Sequence, residues 1–312
     1  MTKTKTLTLI LALAAAQFAA AQSDDFGYDL SIEGETKLAS GLHLSLEAGM
    51  RTQDDAEKID RYTVGAGLDY RLYQTTDKAF TVKANTGFSY LWTNKLQEKE
   101  MKYFDENDGL VDDGFFNAGD VKGYNITDQY WRNRYRINAG LSANYSPNKR
   151  WSFTIKETIQ HSHYCDATAN RTKYRIDENQ SYFDEDGNIV WETTNFDYTE
   201  DYIGEDNLDA DGNVVGKYIN QGDDFKKHKD KTVLRSKLDV TYNIKGIPVD
   251  LFASVEYGCG LNYKTNKWKY TAGYDFKVNK TNKITVFYRY NTEDDDDEAN
   301  GHLVGLGYKF DF

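Results

Sequence analysis

Residues 130–145 read Tyr130-Trp131-Arg132-Asn133-Arg134-Tyr135-Arg136-Ile137-Asn138-Ala139-Gly140-Leu141-Ser142-Ala143-Asn144-Tyr145. Apart from Asn133, the odd positions are apolar or aromatic. The even positions carry Arg132, Arg134 and Arg136, then Asn138, Gly140, Ser142 and Asn144. Period two belongs to a strand, whose side chains alternate between faces, so three guanidinium groups stand about 7 Å apart along one face. A sheet in water could solvate those arginines, whereas a closed barrel in a bilayer would turn them into its lumen and leave the other face to lipid.

The same alternation recurs on both sides of this stretch. Phe26, Tyr28, Leu30, Ile32 and Leu38 form one apolar series, and Leu42 to Met50 returns after Ser40-Gly41. Tyr62 to Leu72 and Phe80 to Trp92 repeat the hairpin. Beyond Ser146-Pro147-Asn148-Lys149 come Trp151, Phe153, Ile155 and Ile159. Further series run through Leu234 to Ile244, Val249 to Tyr257, Trp268 to Val278, Ile284 to Tyr290 and His302 to Phe312. Repeated hairpins of this period predict an all-β chain, an antiparallel transmembrane β-barrel of 10 to 12 strands. A β-sandwich exported to the periplasm or beyond is the competing architecture.

Composition agrees with a barrel. Tyr and Gly each number 24 of 312 residues, against 2 Pro and 2 Cys, as aromatic girdles and uninterrupted ladders require. No internal stretch approaches the roughly 20 apolar residues of a helical span. Lys3 and Lys5 precede an apolar run and Ala19-Ala20-Ala21, which predicts a signal peptide over residues 1–21 and a single barrel over 22–312. The formal charge of -12 becomes -14 without that segment, which excludes nucleic acid as a partner.

Loop lengths predict the orientation, with turns at 74–78, 146–149, 245–247 and 279–282 periplasmic. Loops at 52–60, 94–128, 164–230 and 292–300 are then external, and the two longest are expected to be irregular. Eleven series can be counted, the wrong parity if both ends are periplasmic. Either 26–38 is not a full wall strand or another strand hides in a long loop. The final series ends Val304, Leu306, Tyr308, Phe310, Phe312 and resembles the strand that outer-membrane barrels present to their insertion machinery. The outer membrane would also supply lipid and lipopolysaccharide as surroundings.

The Arg-rich strand after a long loop, Leu234-Arg235-Ser236-Lys237-Leu238 after a second one, and the end from Tyr288-Arg289-Tyr290 to Phe312 resemble the DUF2490 family. That resemblance, over most of the mature chain, implies an uncharacterised outer-membrane barrel of Bacteroidota type, and it supplies neither catalytic residues nor a cofactor. The expanded acidic loops depart from the shorter family pattern.

Charge is unevenly partitioned. Residues 94–128 hold nine acids and four bases, 164–230 seventeen acids and seven bases, and 293–298 six acids. These stretches carry -21, so the rest of the mature chain is +7. By parity the lumen receives Arg61, Arg71, Arg132, Arg134, Arg136, Arg235, Lys237 and Arg289, with Asp69, Asp239 and Glu256 as internal counter-charges. A lining of this kind either admits small anionic solutes or closes on itself as a salt-bridge network.

Two further candidates are weaker in chemistry. His161, His163 and Cys165 share one strand face with metal-ligand spacing. Asp184, Asp186, Asp209 and Asp211 lie in D-x-D-G-N segments that suit either hairpin turns or weak divalent cations at the external loops. An EF-hand is excluded, because Ile189 and Asn195 stand where its Gly and Glu belong. Cys165 and Cys259 fall near one rim and could pair. His161 and Ser162 are adjacent and so face opposite sides, which leaves a lipid hydrolase without a nucleophile–base pair. The functional expectation is a barrel of unassigned role, with an anion conduit as one reading and surface adhesion through the acidic loops as the other.

Overall fold

The computed structural model describes residues 25–107, 118–119, 121–175, 218–293 and 301–312, and every regular element in it is a β-strand. Residues 1–21, the expected signal peptide, lie outside these residues. Eleven strands form a closed barrel: β1 (Asp25–Ala39), β2 (Leu42–Gln53), β3 (Lys58–Gln74), β4 (Phe80–Lys95), β7 (Tyr130–Tyr145), β8 (Trp151–Tyr164), β11 (Lys229–Asn243), β12 (Val249–Gly260), β13 (Asn266–Lys277), β14 (Asn282–Glu293) and β15 (Gly301–Asp311). The expected count of 10 to 12 is met by eleven.

The parity problem is solved in a way the sequence reading did not foresee. β1 is a full wall strand of 15 residues, and no strand from the long connections enters the wall among the described residues. Instead β1 and β15 pair in parallel, in register from Asp25↔Gly301 to Glu35↔Asp311. The ladders from β1 through β2 and β3 to β4, and from β7 through β8, β11, β12, β13 and β14 to β15, are antiparallel. An odd number of up-and-down strands makes the first and last run the same way, and full closure still leaves no edge.

The short turns gather at one end of the barrel, as expected. At the other end the predicted loop 52–60 contracts to a turn at 54–57. There Asp54, Asp55 and Ala56 adopt φ of 59°, 52° and 69°. The turn is fastened to the start of β1 by Ala56 N–H donating to the Phe26 carbonyl at 2.8 Å and Asp55 N–H donating to Asp25 Oδ1 at 3.1 Å. Asp60 is therefore a buried wall residue rather than part of a loop.

A second compact unit is built from residues 95–131 and 166–227. Four strands, β5 (Glu98–Tyr103), β6 (Val121–Thr127), β9 (Ala167–Arg175) and β10 (Tyr218–Lys226), pair in the order β10-β9-β6-β5. This corrects the expectation of irregular chain across the two long connections. The strands escaped notice because charged residues fill both parities, as in Glu98-Lys99-Glu100-Met101-Lys102. Their small core contains Phe104, Tyr124 and Ala169. Glu100 pairs with Lys102 and accepts from Asn125 Nδ2 at 3.3 Å. The bond from Lys102 holds the Glu100 carboxyl below the ordinary carboxylate range, against a smaller opposing effect of burial.

The outer face of the barrel wall is apolar and exposed. Ile137, Leu141, Ile155 and Ile159 are each more than half exposed, at 55%, 55%, 56% and 53%. Burying such a surface requires an apolar medium, and rings at the ends of the strands, such as Trp131 and Tyr145 on β7, fit the interfacial girdles of a transmembrane barrel. Two aromatics, Phe252 and Phe287, point inward and line a lumen cavity. Glu157 on β8 makes the opposite exception, standing on the outward face between Ile155 and Ile159.

Candidate functional site: a basic lumen

Alternation on β7 sends Arg132, Arg134 and Arg136 inward, while Trp131, Tyr135 and Ile137 stay outside. Arg132 and Arg134 are buried and pack their guanidinium groups against the ring of Tyr164, at 5.4 and 4.5 Å from its centroid. Lys229 and Lys231 approach the same ring at 5.2 and 5.8 Å. Four cations thus surround one buried ring, an arrangement in which the ring quadrupole offsets part of their repulsion. Arg132 Nε also donates to the Cys165 carbonyl at 2.8 Å, and Arg134 Nη2 to Ser162 Oγ at 3.1 Å.

Arg136 and Arg134 line a cavity of about 390 Å³ inside the barrel. Its lining contains eight Lys or Arg side chains, among them Arg61, Arg235 and Arg289, against the two carboxylates Asp29 and Glu47. A second cavity of about 510 Å³ adjoins it, sharing Arg235, Lys269 and Arg289. Six cations line that one, Lys237 included, with Glu33 and Glu256 as its acids. A third, of about 390 Å³, lies near the short turns and is lined by Arg71, Lys83 and His43 with hydroxyl and amide groups.

Ion pairs stitch this lining together. Arg235 Nε donates to Glu256 Oε1 at 2.9 Å and its Nη1 donates to Gln160 Oε1 at 2.7 Å. Lys237 meets Asp239 at 2.6 Å, Lys283 meets Asp275 at 2.9 Å, and Arg289 meets Asp29 at 3.1 Å. Asp60 holds Arg61 at 2.8 Å and Arg51 at 3.3 Å. Lys309 bonds Glu33 at 2.9 Å and also reaches Glu35. Asp69 faces inward opposite His43 and Asn85, and Arg71 donates to Gln74 at 2.9 Å.

Of the residues expected in the lumen, Arg61, Arg71, Arg134, Arg136, Arg235, Lys237, Glu256 and Arg289 line these cavities, and Arg132, Asp69 and Asp239 share their parity on β7, β3 and β11. Asp29, Glu33, Glu35, Lys267, Lys269, Lys283 and Lys309 were missed, although parity alone marks them, since Lys267 and Lys269 alternate with Trp268 and Tyr270. Asp60 was missed because it was assigned to a loop.

The two histidines with metal-ligand spacing meet a carboxylate on the neighbouring strand. His161 and His163 remain on the outer face and turn to Asp230 of β11, His163 Nδ1 at 2.8 Å and His161 Nε2 at 3.6 Å from Oδ1. Cys165 follows the last residue of β8, and its N–H donates to the Asn133 carbonyl of β7 at 3.0 Å. Among the described residues no group of three or more His, Cys, Asp or Glu can hold a metal ion. Cys165 and Cys259 are free thiols. Ser162 is buried inside while His161 is exposed outside, so the wall separates them. Asp184, Asp186, Asp209 and Asp211 lie outside the described residues.

The model of a family described as a protein of unknown function, DUF2490, matches residues 26–302. No curated protein matches the chain. Among solved structures, a Pseudomonas aeruginosa FadL homologue aligns at 9% identity over 83% of this chain and 58% of that one, with a TM-score of 0.34. The Pseudomonas putida toluene transporter TodX aligns at 10% identity over 88% and 76% of the two chains, with a TM-score of 0.34. An anion-selective porin from Comamonas acidovorans aligns at 9% identity over 88% and 82%, with a TM-score of 0.21. At these values the likenesses decide nothing about function.

Proposed function

The chain belongs to the DUF2490 family, and from that premise we propose that it is an outer-membrane barrel whose basic lumen admits small anions. The observation that carries this reading is the surplus of cations in the adjoining cavities, eight against two and six against two. Rings of Arg and Lys lower the barrier for anions and raise it for cations. The ion pairs do not contradict this, because they fix the wall while Lys and Arg outnumber the carboxylates in both linings. With eleven strands the bore is little wider than one filled by side chains, which favours solutes of a few heavy atoms.

Placement in the outer membrane is part of the proposal, supported by the apolar outer face. Cleavage before Gln22, contact with lipid and lipopolysaccharide, and insertion through the Phe312 end belong to it as well. Reconstitution into planar bilayers tests the conduit. Steps of current with a reversal potential of anion selectivity are expected; a silent membrane or cation selectivity refutes it.

Adhesion through the second unit is the alternative, favoured by the sheet that β5, β6, β9 and β10 form from the acidic connections. Deleting residues 170–225 separates the two readings. Conductance should persist, while binding to a surface ligand should vanish if adhesion is the role.

A further inference from the structure

We propose that the lumen cavity beside Phe252 and Phe287 is a binding site for a small organic anion, a carboxylate carried on a flat aromatic ring. The inference rests on the reading of the lumen as open to anions and names the class of anion.

The ladder sets Phe252, Gly273, Phe287 and Gly305 side by side on the inner face of β12, β13, β14 and β15. A Cβ on Gly273 would stand 2.9 Å from Phe252 Cζ, and one on Gly305 would overlap the Phe287 ring. Each ring therefore lies along the wall over its neighbouring glycine instead of reaching across the bore. The row forms a low apolar shelf in a lumen otherwise built of charges, hydroxyls and amides at this level. Both rings line the cavity of about 510 Å³. An apolar cavity of about 150 Å³ already accepts benzene, so there is room here for a ring, its charged head and water.

The two phenylalanines are covered differently. Arg289 lays its guanidinium over Phe287, 4.7 Å from the centroid. Among the described residues neither a ring nor a cation stacks on Phe252. The two residues stand two strands apart, roughly 10 Å, and the Phe252 ring closes part of that gap by lying over Gly273. A ring stacked on Phe252 would thus bring a carboxylate substituent toward Arg289. That guanidinium donates from Nε to Thr271 Oγ1 at 3.4 Å and from Nη1 to Asp29 Oδ2 at 3.1 Å, which leaves the hydrogens of Nη2 for a ligand.

Charge fixes which way the anion points. On the side of the shelf nearer the short turns, Lys283 is held by Asp275 at 2.9 Å and Lys309 by Glu33 at 2.9 Å. On the other side Arg235, Lys269 and Arg289 also belong to the adjoining cavity, where cations outnumber carboxylates eight to two. The head therefore turns to Arg289 and the body to Phe252. An inorganic anion would use the cations and leave the rings in water, whereas a flat aromatic body pairs with a flat ring in an offset stack.

The test is calorimetric titration of the full chain, folded in alkyl-glycoside micelles, with sodium benzoate, sodium acetate and sodium cyclohexanecarboxylate as probes. Shifted gel migration of unheated samples checks that each variant is folded. Wild type should bind benzoate about tenfold tighter than acetate, and tighter than cyclohexanecarboxylate. Phe252→Ala should remove most of the preference over acetate. Phe252→Leu keeps an apolar side chain over Gly273, so it serves where alanine fails to fold, and it should bind benzoate no better than cyclohexanecarboxylate. Arg289→Gln should weaken benzoate and acetate alike. Benzoate bound no tighter than acetate in wild type, or preferences that survive at Phe252→Leu, overturn the proposal. A wild type that binds benzoate in this manner yet passes no current supports the site and faults the conduit; one that passes chloride and binds no benzoate does the reverse.

Discussion

Arg235 reaches Glu256 diagonally across the β11–β12 pair, passing over Gly258, which stands directly opposite it in the ladder. Because the same guanidinium donates to Gln160 on β8, one side chain ties three consecutive wall strands. Glu256 also has Lys269 at 3.9 Å, so removing the carboxylate takes a counter-charge from two cations at once. Glu256→Ala should cost about 2 kcal/mol, less than a fully buried pair would because the lumen is partly wet. Urea unfolding in lipid vesicles measures it, and a smaller loss in Arg235→Met/Glu256→Met would confirm that the cost is the uncompensated charge.

The arginines of β7 should divide by role. Arg132 is buried against Tyr164 and the Cys165 carbonyl, whereas Arg136 lines the cavity shared with Arg235. Arg132→Gln should lower stability by about 1–2 kcal/mol and leave ion selectivity unchanged. Arg136→Gln should shift the reversal potential away from anions with little change in the unfolding midpoint. Equal effects of the two on selectivity would argue against a division of labour.

Gly305 is required by Phe287. The ring of Phe287, inward from β14, lies over Gly305 on β15, and a methyl group there would overlap it. Gly305→Ala should destabilise the barrel by about 1–3 kcal/mol through overpacking. Phe287→Ala in the same molecule should recover part of that loss, and strict additivity in the double-mutant cycle would disprove the contact.

Acid should loosen the four-stranded sheet before the barrel. Lys102 holds the Glu100 carboxyl below its ordinary value of 4.5, so the ion pair stabilises β5 above that pH and is lost as pH falls below it. Amide exchange in β5 and β6, corrected for intrinsic rates, should rise in wild type as pH falls below 4.5. In Glu100→Gln that rise should be absent.

How much of this could be read from the chain depended on whether alternation had two chemically distinct faces. Leu141 and Arg136 announce their sides, so the wall strands and the basic interior were legible. Lys99 and Glu100 do not, so their sheet has the same sequence signature as irregular loop. Glu157 interrupts an apolar series and was passed over, although its parity with Ile155 and Ile159 marks it. The seam was invisible for a different reason. Pairing of Asp25 with Gly301 is a property of strand number and closure, which no local pattern encodes.

That seam also restricts how the chain could be rewired. The start of β1 and the end of β15 leave the wall at opposite rims, separated by a ladder from Asp25↔Gly301 to Glu35↔Asp311. Circular permutation, which is easy where termini are neighbours, would here need a linker of about ten extended residues running the height of the cylinder. Passed inside, it would occupy the bore; passed outside, it would expose unpaired peptide groups to lipid.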